Sequence, residues 1–141
     1  MWADGADATT AITPRSEASA NVPLALLLRG YAYDGLACLF GIRSSSGFRP
    51  LAEGRGFPND ASPGVRGEFA ACGGPGYVHG TTWLTCADLN AADWQATHAS
   101  GTRSHASAAG VHSDWGQVWN VMRALSDLHG AQNVRLVVWF H

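Results

Sequence analysis

The chain has 141 residues, of which 46% are hydrophobic and 14% are charged, and its formal net charge is -2 at pH 7. This length fits one domain with a conventional core, and the apolar content excludes disorder of the whole chain. The negative balance excludes a general nucleic-acid binder, because phosphate contacts require clustered Lys and Arg.

The first 21 residues are rich in Ala, Thr, Asp and Ser and have no clear periodicity. This composition is typical of a flexible arm, so we predict an arm over residues 1–21 and one globular domain over residues 22–141. The run VPLALLL favours a short buried strand, although it could equally begin a helix. It is far shorter than the ~20 residues of a membrane span, and we predict no membrane association. Asp34 is predicted to cap a short helix that ends near Gly41.

Gly, Pro, Ser and Asn dominate residues 44–77, where no strong period survives. Loops of this length are usually either functional or disordered. Four large apolar residues argue for order, and we therefore predict an ordered, packed Gly/Pro loop. These residues are Phe48, Leu51, Phe57 and Phe69.

The stretch HGTTWLTCADLNAADWQ contains the clearest helix start in the chain. Residues 81–84 read as a short strand, Thr85 as an N-cap, and Asp88 as its capping-box partner. Leu84 and Leu89 occupy the two positions of a hydrophobic staple. The helix is predicted to run to about Gln95.

His98, His105 and His112 follow at intervals of seven residues in a small, polar segment. Three histidines can bind a metal, but such ligands are usually held by rigid elements with supporting hydrogen bonds. We interpret the segment as a solvated loop and predict no metal and no cofactor. The three cysteines form no C-x-x-C pair and no signal peptide precedes them, which indicates buried thiols in a reducing cytoplasm.

The C-terminal region has the strongest periodicity. Ser113 is predicted to cap a helix over residues 114–129, and Gly130 to end it. The strand NVRLVVWFH follows, apolar on both faces and therefore central in a sheet. We predict an α+β fold with a small mixed or antiparallel sheet, covered by the C-terminal helix and by shorter helices. The core stripe of this helix comprises Trp115, Val118, Trp119, Met122, Leu125 and Leu128.

Four segments resemble, in the same order, a family of small uncharacterised proteins of bacteriophages and bacterial prophages. YDGLACLFGIR resembles the family's Asn-Tyr, apolar helix and Gly-Val-Arg segment, and RPLAEGRGFPNDAS its Pro-Ile-Ser-Glu-Pro-Arg-Gly-Leu-Pro-Asp-Asp-Val-Ser segment. HGTTWLTCADL is similar to its His and Ser-Trp-Leu-Thr-Leu segment, and NVRLVVWF to its closing strand. The family's N-terminal Gly-Cys-Asp-Ile-His strand has no counterpart here. The resemblance implies an accessory protein of the host cytoplasm, and it implies no particular activity.

Six residues from the first three of these segments are the candidate binding residues: Arg43, Glu53, Arg55, Asp60, His79 and Trp83. A His can act as a general base, an acid can orient it, and an Arg can hold an anion. The same residue types also stabilise ordinary Gly/Pro loops.

We therefore predict a protein that binds a host protein or a small anionic ligand. The alternative is a hydrolase or phosphodiesterase that uses Arg55, Asp60 and His79. A further alternative is a structural component of the virion. The sequence leaves the oligomeric state open.

Overall fold

The computed structural model describes residues 11–14, 22–24, 27–28, 33–41, 49–97 and 103–140. Over these residues the chain has an α+β fold, as predicted, in which helices cover both faces of a four-stranded antiparallel sheet. The strands are β1 (Ala11–Pro14), β2 (Val22–Pro23), β3 (His79–Thr85) and β4 (Val134–Phe140), in the order β2-β1-β4-β3. The helices are α1 (Tyr33–Phe40), α2 (Pro63–Ala71), α3 (Cys86–Ala91), α4 (His105–Ala109) and α5 (Gly116–His129).

β4 is an internal strand whose seven residues are all buried. Successive side chains of a strand point to opposite faces, and both faces of this one are apolar. Val134, Leu136, Val138 and Phe140 enter the larger core, which α1, α3, α4 and α5 cover. The other face carries Val137 and Trp139 into a smaller core beneath α2. The predicted alternation and central position of this strand are confirmed.

The segment that precedes α2 crosses the outer edge of β3 and so connects the two faces of the sheet. On the larger-core side, the Ala52 amide donates to Leu39 O at 2.8 Å, and Thr82 Oγ1 donates to Ala52 O at 2.8 Å. At the edge itself, the Gly56 amide donates to Thr81 O at 3.0 Å. Covering an edge carbonyl removes a site at which another chain could pair.

The predicted Gly/Pro loop is ordered where it is described, but it contains a helix that the sequence pattern does not predict. Ser62 Oγ accepts a hydrogen bond from the Val65 amide and caps α2, and Pro63 occupies its first turn. Val65 and Phe69, four residues apart, both enter the smaller core. Gly64 and Gly67 lower the helix propensity of this segment, because glycine is a poor helix former, and the sequence therefore does not predict the helix.

Three helix boundaries differ from the prediction. α1 begins at Tyr33, before the predicted cap Asp34, although it ends at Phe40, next to Gly41, as predicted. α3 ends at Ala91, because Ala92 adopts an extended conformation and a turn follows. α5 begins at Gly116, because Ser113 Oγ accepts from the Trp115 amide in a separate turn that precedes the helix. The predicted core stripe also ends early, since Leu128 lies in the last turn of α5 and is 79% exposed.

The prediction of a solvated loop is wrong for His105. This residue begins α4, is 2% exposed, and has one ring nitrogen 2.8 Å from Ala96 O and the other 2.8 Å from Arg49 O. His112 is exposed, and His98 lies outside the described residues. Within the described ranges no three His, Cys, Asp or Glu side chains cluster as metal ligands.

Part of the predicted arm takes part in the sheet. Ala11–Pro14 forms β1 and pairs with β4, with Ile12 opposite Leu136. Residues 1–10 and 15–21 lie outside the described residues. Val22 and Pro23 form β2, which agrees with a strand at the start of VPLALLL, but the strand ends there and the fully buried Leu24 begins a turn. None of the described helices has both the length and the apolarity that crossing a membrane requires.

Candidate functional site

Three of the six candidate residues line one cleft on the smaller-core face of the sheet. Arg55 and Asp60 come from the segment before α2, and Trp83 comes from β3. Arg135 of β4 forms part of the same wall. The cleft has a volume of about 280 Å³ and is lined by Arg55, Phe57, Pro58, Asn59, Asp60, Trp83 and Arg135.

Strand pairing places the two sheet residues of the cleft. Trp83 lies opposite Val137 and Thr85 lies opposite Arg135, so all four side chains belong to the same face. Both guanidinium groups lie near the Trp83 ring, Arg55 Cζ at 5.0 Å and Arg135 Cζ at 5.8 Å from the ring centre. These distances allow cation–π attraction, which orients both cations.

Arg55 joins three features of the strand edge. Its Nη1 donates to Trp83 O at 3.2 Å and to Asp88 Oδ2 at 2.8 Å, and its amide donates to Thr82 Oγ1 at 3.1 Å. The guanidinium therefore covers a second outward-facing carbonyl of β3, beyond the one that Gly56 covers. We interpret Arg55 primarily as the anchor of the loop.

Arg135 is the most deeply buried cation among the described residues, with 2% of its surface exposed. Its Nη1 donates to Asp60 Oδ1 at 2.6 Å, and the Asp60 side chain is 50% exposed. Its Nε and Nη2 are buried and have no acceptor among the described residues. These two nitrogens carry the parallel N–H groups with which a guanidinium binds a carboxylate or phosphate bidentately.

Arg66 provides an internal comparison. Its Nε donates to Ala61 O at 3.2 Å, its Nη2 donates to Asn59 O, and its guanidinium lies 5.8 Å from the centre of the Phe57 ring. The same pair of nitrogens is thus satisfied by backbone carbonyls in Arg66. In Arg135 no described residue accepts from this pair, and this is the distinguishing feature of the cleft.

Asp88 carries a perturbed carboxyl group. Burial acts to raise its pKa, but the hydrogen bond from the Thr85 amide and the nearby Arg55 guanidinium outweigh burial and hold the pKa below its ordinary value of 3.8. Asp88 and Thr85 also form the predicted capping box of α3. The carboxylate therefore fixes the helix start and the Arg55 side chain together.

Replacing Asp88 by asparagine should make the free energy of unfolding less dependent on pH in the acidic range. The folded pKa of Asp88 is depressed, so its charge stabilises the fold above the unfolded value and ceases to do so as the pH falls through the folded value. At neutral pH we expect the variant to be less stable by about 1 kcal/mol, as for loss of a helix cap. Urea unfolding from neutral pH to below 3.8 would test this, and parallel pH profiles for the two proteins would contradict it.

The other three candidates do not join the cleft. Glu53 is exposed, and its carboxylate lies over Gly41, where an added methyl group would be 2.7 Å from Oε1. His79 lies opposite Phe140 on the larger-core face, with their ring centres 6.2 Å apart. Arg43 lies outside the described residues.

A β-bulge accounts for the position of His79. Trp83 is four residues further along β3, so strict alternation would place both side chains on one face. The register shifts between His79 and Thr82, and Gly80 in this interval has a positive φ of 64°. One extra residue in a strand reverses the face of the sheet to which all preceding side chains of that strand point.

Arg135 and Asp88 are the site residues that sequence reasoning did not select. Arg135 is the only charged residue within the apolar strand VRLVVWF. The sequence predicts that this strand is buried on both faces, and a charge at such a position indicates a special role. Asp88 is predicted only as the capping-box partner of Thr85, and nothing in the sequence indicates its contact with Arg55, 33 residues away. Comparisons of the chain with protein-family models, with curated proteins and with solved structures found no significant match.

Proposed function

We propose that this protein binds a small oxyanion, a carboxylate or a phosphate, through the Nε and Nη2 groups of Arg135. The observation that carries the proposal is a buried guanidinium with one bidentate pair of donors that the described residues leave without an acceptor. An accessory role in a phage or prophage, implied by the sequence resemblance, is compatible with this activity and is part of the proposal.

The energetics favour an acceptor at this position. Burying a charged group without satisfying its donors costs several kcal/mol, which the single contact to the half-exposed Asp60 offsets only in part. Because both nitrogens are shielded from solvent, the wall of the cleft must open slightly before two oxygens of one anion can satisfy their N–H groups. Such charge-assisted bonds are roughly twice as strong as neutral ones. A bound oxyanion therefore has the chemistry that the buried site lacks.

The surroundings favour a small ligand. The volume of about 280 Å³ is near the lower end for ligand pockets, and rigid aromatic side chains, Phe57 and Trp83, form part of its wall. Arg55 is a second cation at the cleft, although its contact with Asp88 offsets its charge. A mononucleotide-sized or smaller anion suits these dimensions better than a protein surface does, and we therefore favour the small ligand over a host protein.

The structure offers no comparable support for the hydrolase alternative. That reaction scheme requires a base close to Arg55 and Asp60, but His79 lies on the opposite face of the sheet. Asp60 already accepts a hydrogen bond from Arg135. The cleft is suited to holding an anion, not to abstracting a proton.

The proposal can be tested by NMR of the arginine Nε–H groups during titration with inorganic phosphate at constant ionic strength. We expect the Arg135 signal to shift in a saturable manner, because its N–H would acquire an acceptor, and the Arg66 signal to remain in place. Acetate in a parallel titration distinguishes a carboxylate from a phosphate preference. The variant R135M identifies the signal and should lose the response.

Arg123 supplies the matched control, because it is exposed on α5 and lies outside the cleft. The variant R123Q should retain the full response of Arg135 to phosphate. An Arg135 signal that responds to neither oxyanion, or that moves equally with chloride, would reject the proposed function.

A further inference from the structure

A second pocket lies on the other side of the sheet, between α3 and α5. It has a volume of about 300 Å³. Cys86 and Leu89 of α3 and Trp119 of α5 belong to the larger core and form its floor. Trp94 and Val111 complete the apolar lining, and Asn90 and Arg123 add polar groups. No residue of this pocket lines the Arg135 cleft.

The backbone fixes two indole rings at the pocket, the half-buried Trp94 and the buried Trp119. Trp94 Nε1 donates to Leu89 O at 3.1 Å, and Trp119 Nε1 donates to Ala109 O at 2.5 Å. Their ring centres are 6.4 Å apart. Because both polar N–H groups are engaged by the backbone, the rings offer the pocket a rigid hydrophobic surface.

Two polar groups at the pocket remain available for a ligand. Arg123 follows Trp119 by four residues on α5, and Asn90 follows Cys86 by four residues on α3, so each lies on the pocket face of its helix. The described residues supply no ion-pair partner for Arg123. A guanidinium and a neighbouring amide can bind the same carboxylate. The guanidinium binds it bidentately, and the amide donates from its NH₂ group.

Val111 strengthens the case for an apolar ligand. It is 52% exposed although it borders an aromatic surface, and it is one of three large hydrophobic residues with high exposure in the described part of the chain. The other two, Tyr77 and Leu128, do not line this pocket. Contact with a ligand would remove the Val111 side chain from water, which is favourable by roughly 25 cal/mol per Å².

We propose that this pocket binds a small apolar carboxylate, with its hydrocarbon body against Trp94 and Val111 and its carboxylate on Arg123. A single cation with a neutral amide matches one negative charge, and the apolar walls exclude a strongly hydrated dianion. The site shares no lining residue with the Arg135 cleft.

The test uses 4-phenylbutyrate and its uncharged analogue 4-phenylbutanamide, with the tryptophan indole N–H signals as the readout. We expect the acid to shift the Trp94 and Trp119 signals, to leave Trp83 unchanged, and to bind about tenfold more tightly than the amide, as for one charge-assisted interaction. The variant R123Q should reduce the affinity for the acid to that of the amide.

Val111 provides a matched pair of variants at an exposed position. V111E should weaken binding of the acid about tenfold more than binding of the amide, because only the acid is repelled by the new charge, whereas V111Q should have similar, small effects on both ligands. Equal affinities of acid and amide for the wild-type protein, or an acid preference that survives in R123Q, would overturn the proposal. Shifts confined to Trp83 would overturn it as well, because they would place the acid in the Arg135 cleft.

Discussion

Replacing Arg135 by methionine should raise the free energy of unfolding by about 1 kcal/mol in phosphate-free buffer, whereas replacing it by alanine should lower it by about 2 kcal/mol. Methionine fills a similar volume and removes two buried N–H groups to which the described part of the chain offers no acceptor. Asp60, which loses the Arg135 contact in this variant, is half exposed and can be hydrated. Alanine removes the same charge but leaves a cavity beneath Trp83.

Urea unfolding of the three proteins measures both differences, and added phosphate sharpens the test. A ligand that binds only the folded wild-type protein stabilises it in proportion to RT ln(1 + [L]/Kd), so phosphate should reduce or reverse the advantage of methionine. R66M is the control, because the corresponding donors of Arg66 have carbonyl acceptors. We expect this variant to lose stability under both conditions.

A loss of stability in R135M as large as that in the alanine variant would contradict the argument. It would mean that groups of the chain itself satisfy the guanidinium. The buried Arg135 would then be a structural residue, and the proposed oxyanion site would lose its basis.

Gly35→Ala should lower the free energy of unfolding by about 3 kcal/mol, although alanine is normally the better helix former by about 1 kcal/mol. Gly35 is buried in α1, where a methyl group would overlap the Trp115 indole, at 2.5 Å from Cδ1 and closer still to Nε1. Trp115 is fully buried and lies edge-on to Phe40, with ring centres 5.9 Å apart. Because the core is close-packed, neither Trp115 nor Phe40 can move to accommodate the added methyl group.

The control is Gly67→Ala in α2, where an added methyl group would meet nothing within 4 Å. This variant should gain up to about 1 kcal/mol from helix propensity alone. The two substitutions are chemically identical, so the opposite signs that we expect for the change in unfolding free energy reflect only the surroundings of the two glycines. Thermal or urea unfolding measures both, and a neutral effect of Gly35→Ala would mean that α1 can move away from Trp115.

Local patterns were sufficient for much of the fold. The alternation in NVRLVVWFH predicted a central strand, and β4 has that position because each of its faces carries apolar side chains into a core. The Thr85 and Asp88 pair predicted the start of α3, because a capping box depends only on residues three positions apart. Elements with weak periodicity were missed, and α2 is the example, since two glycines obscure a helix whose stability comes from Val65 and Phe69 packing on the sheet.

The chemistry of RPLAEGRGFPND was predicted only in part. The sequence indicated an ordered polar loop with Arg55 and Asp60 as its notable charges, and both line the cleft. It could not indicate their partners. Arg55 binds Asp88 and Asp60 binds Arg135, contacts that join residues 33 and 75 positions apart.

By itself, the sequence determined the α+β class, the two-faced strand β4 and the capped start of α3, because each depends on neighbouring residues and on the fixed periods of helix and strand. Tertiary structure decided which polar residues meet. A single-residue bulge in β3 moved His79 to the face opposite Trp83, and pairing of β3 with β4 brought Arg135 beneath the loop. Such contacts depend on register and on long-range packing, which no local pattern encodes.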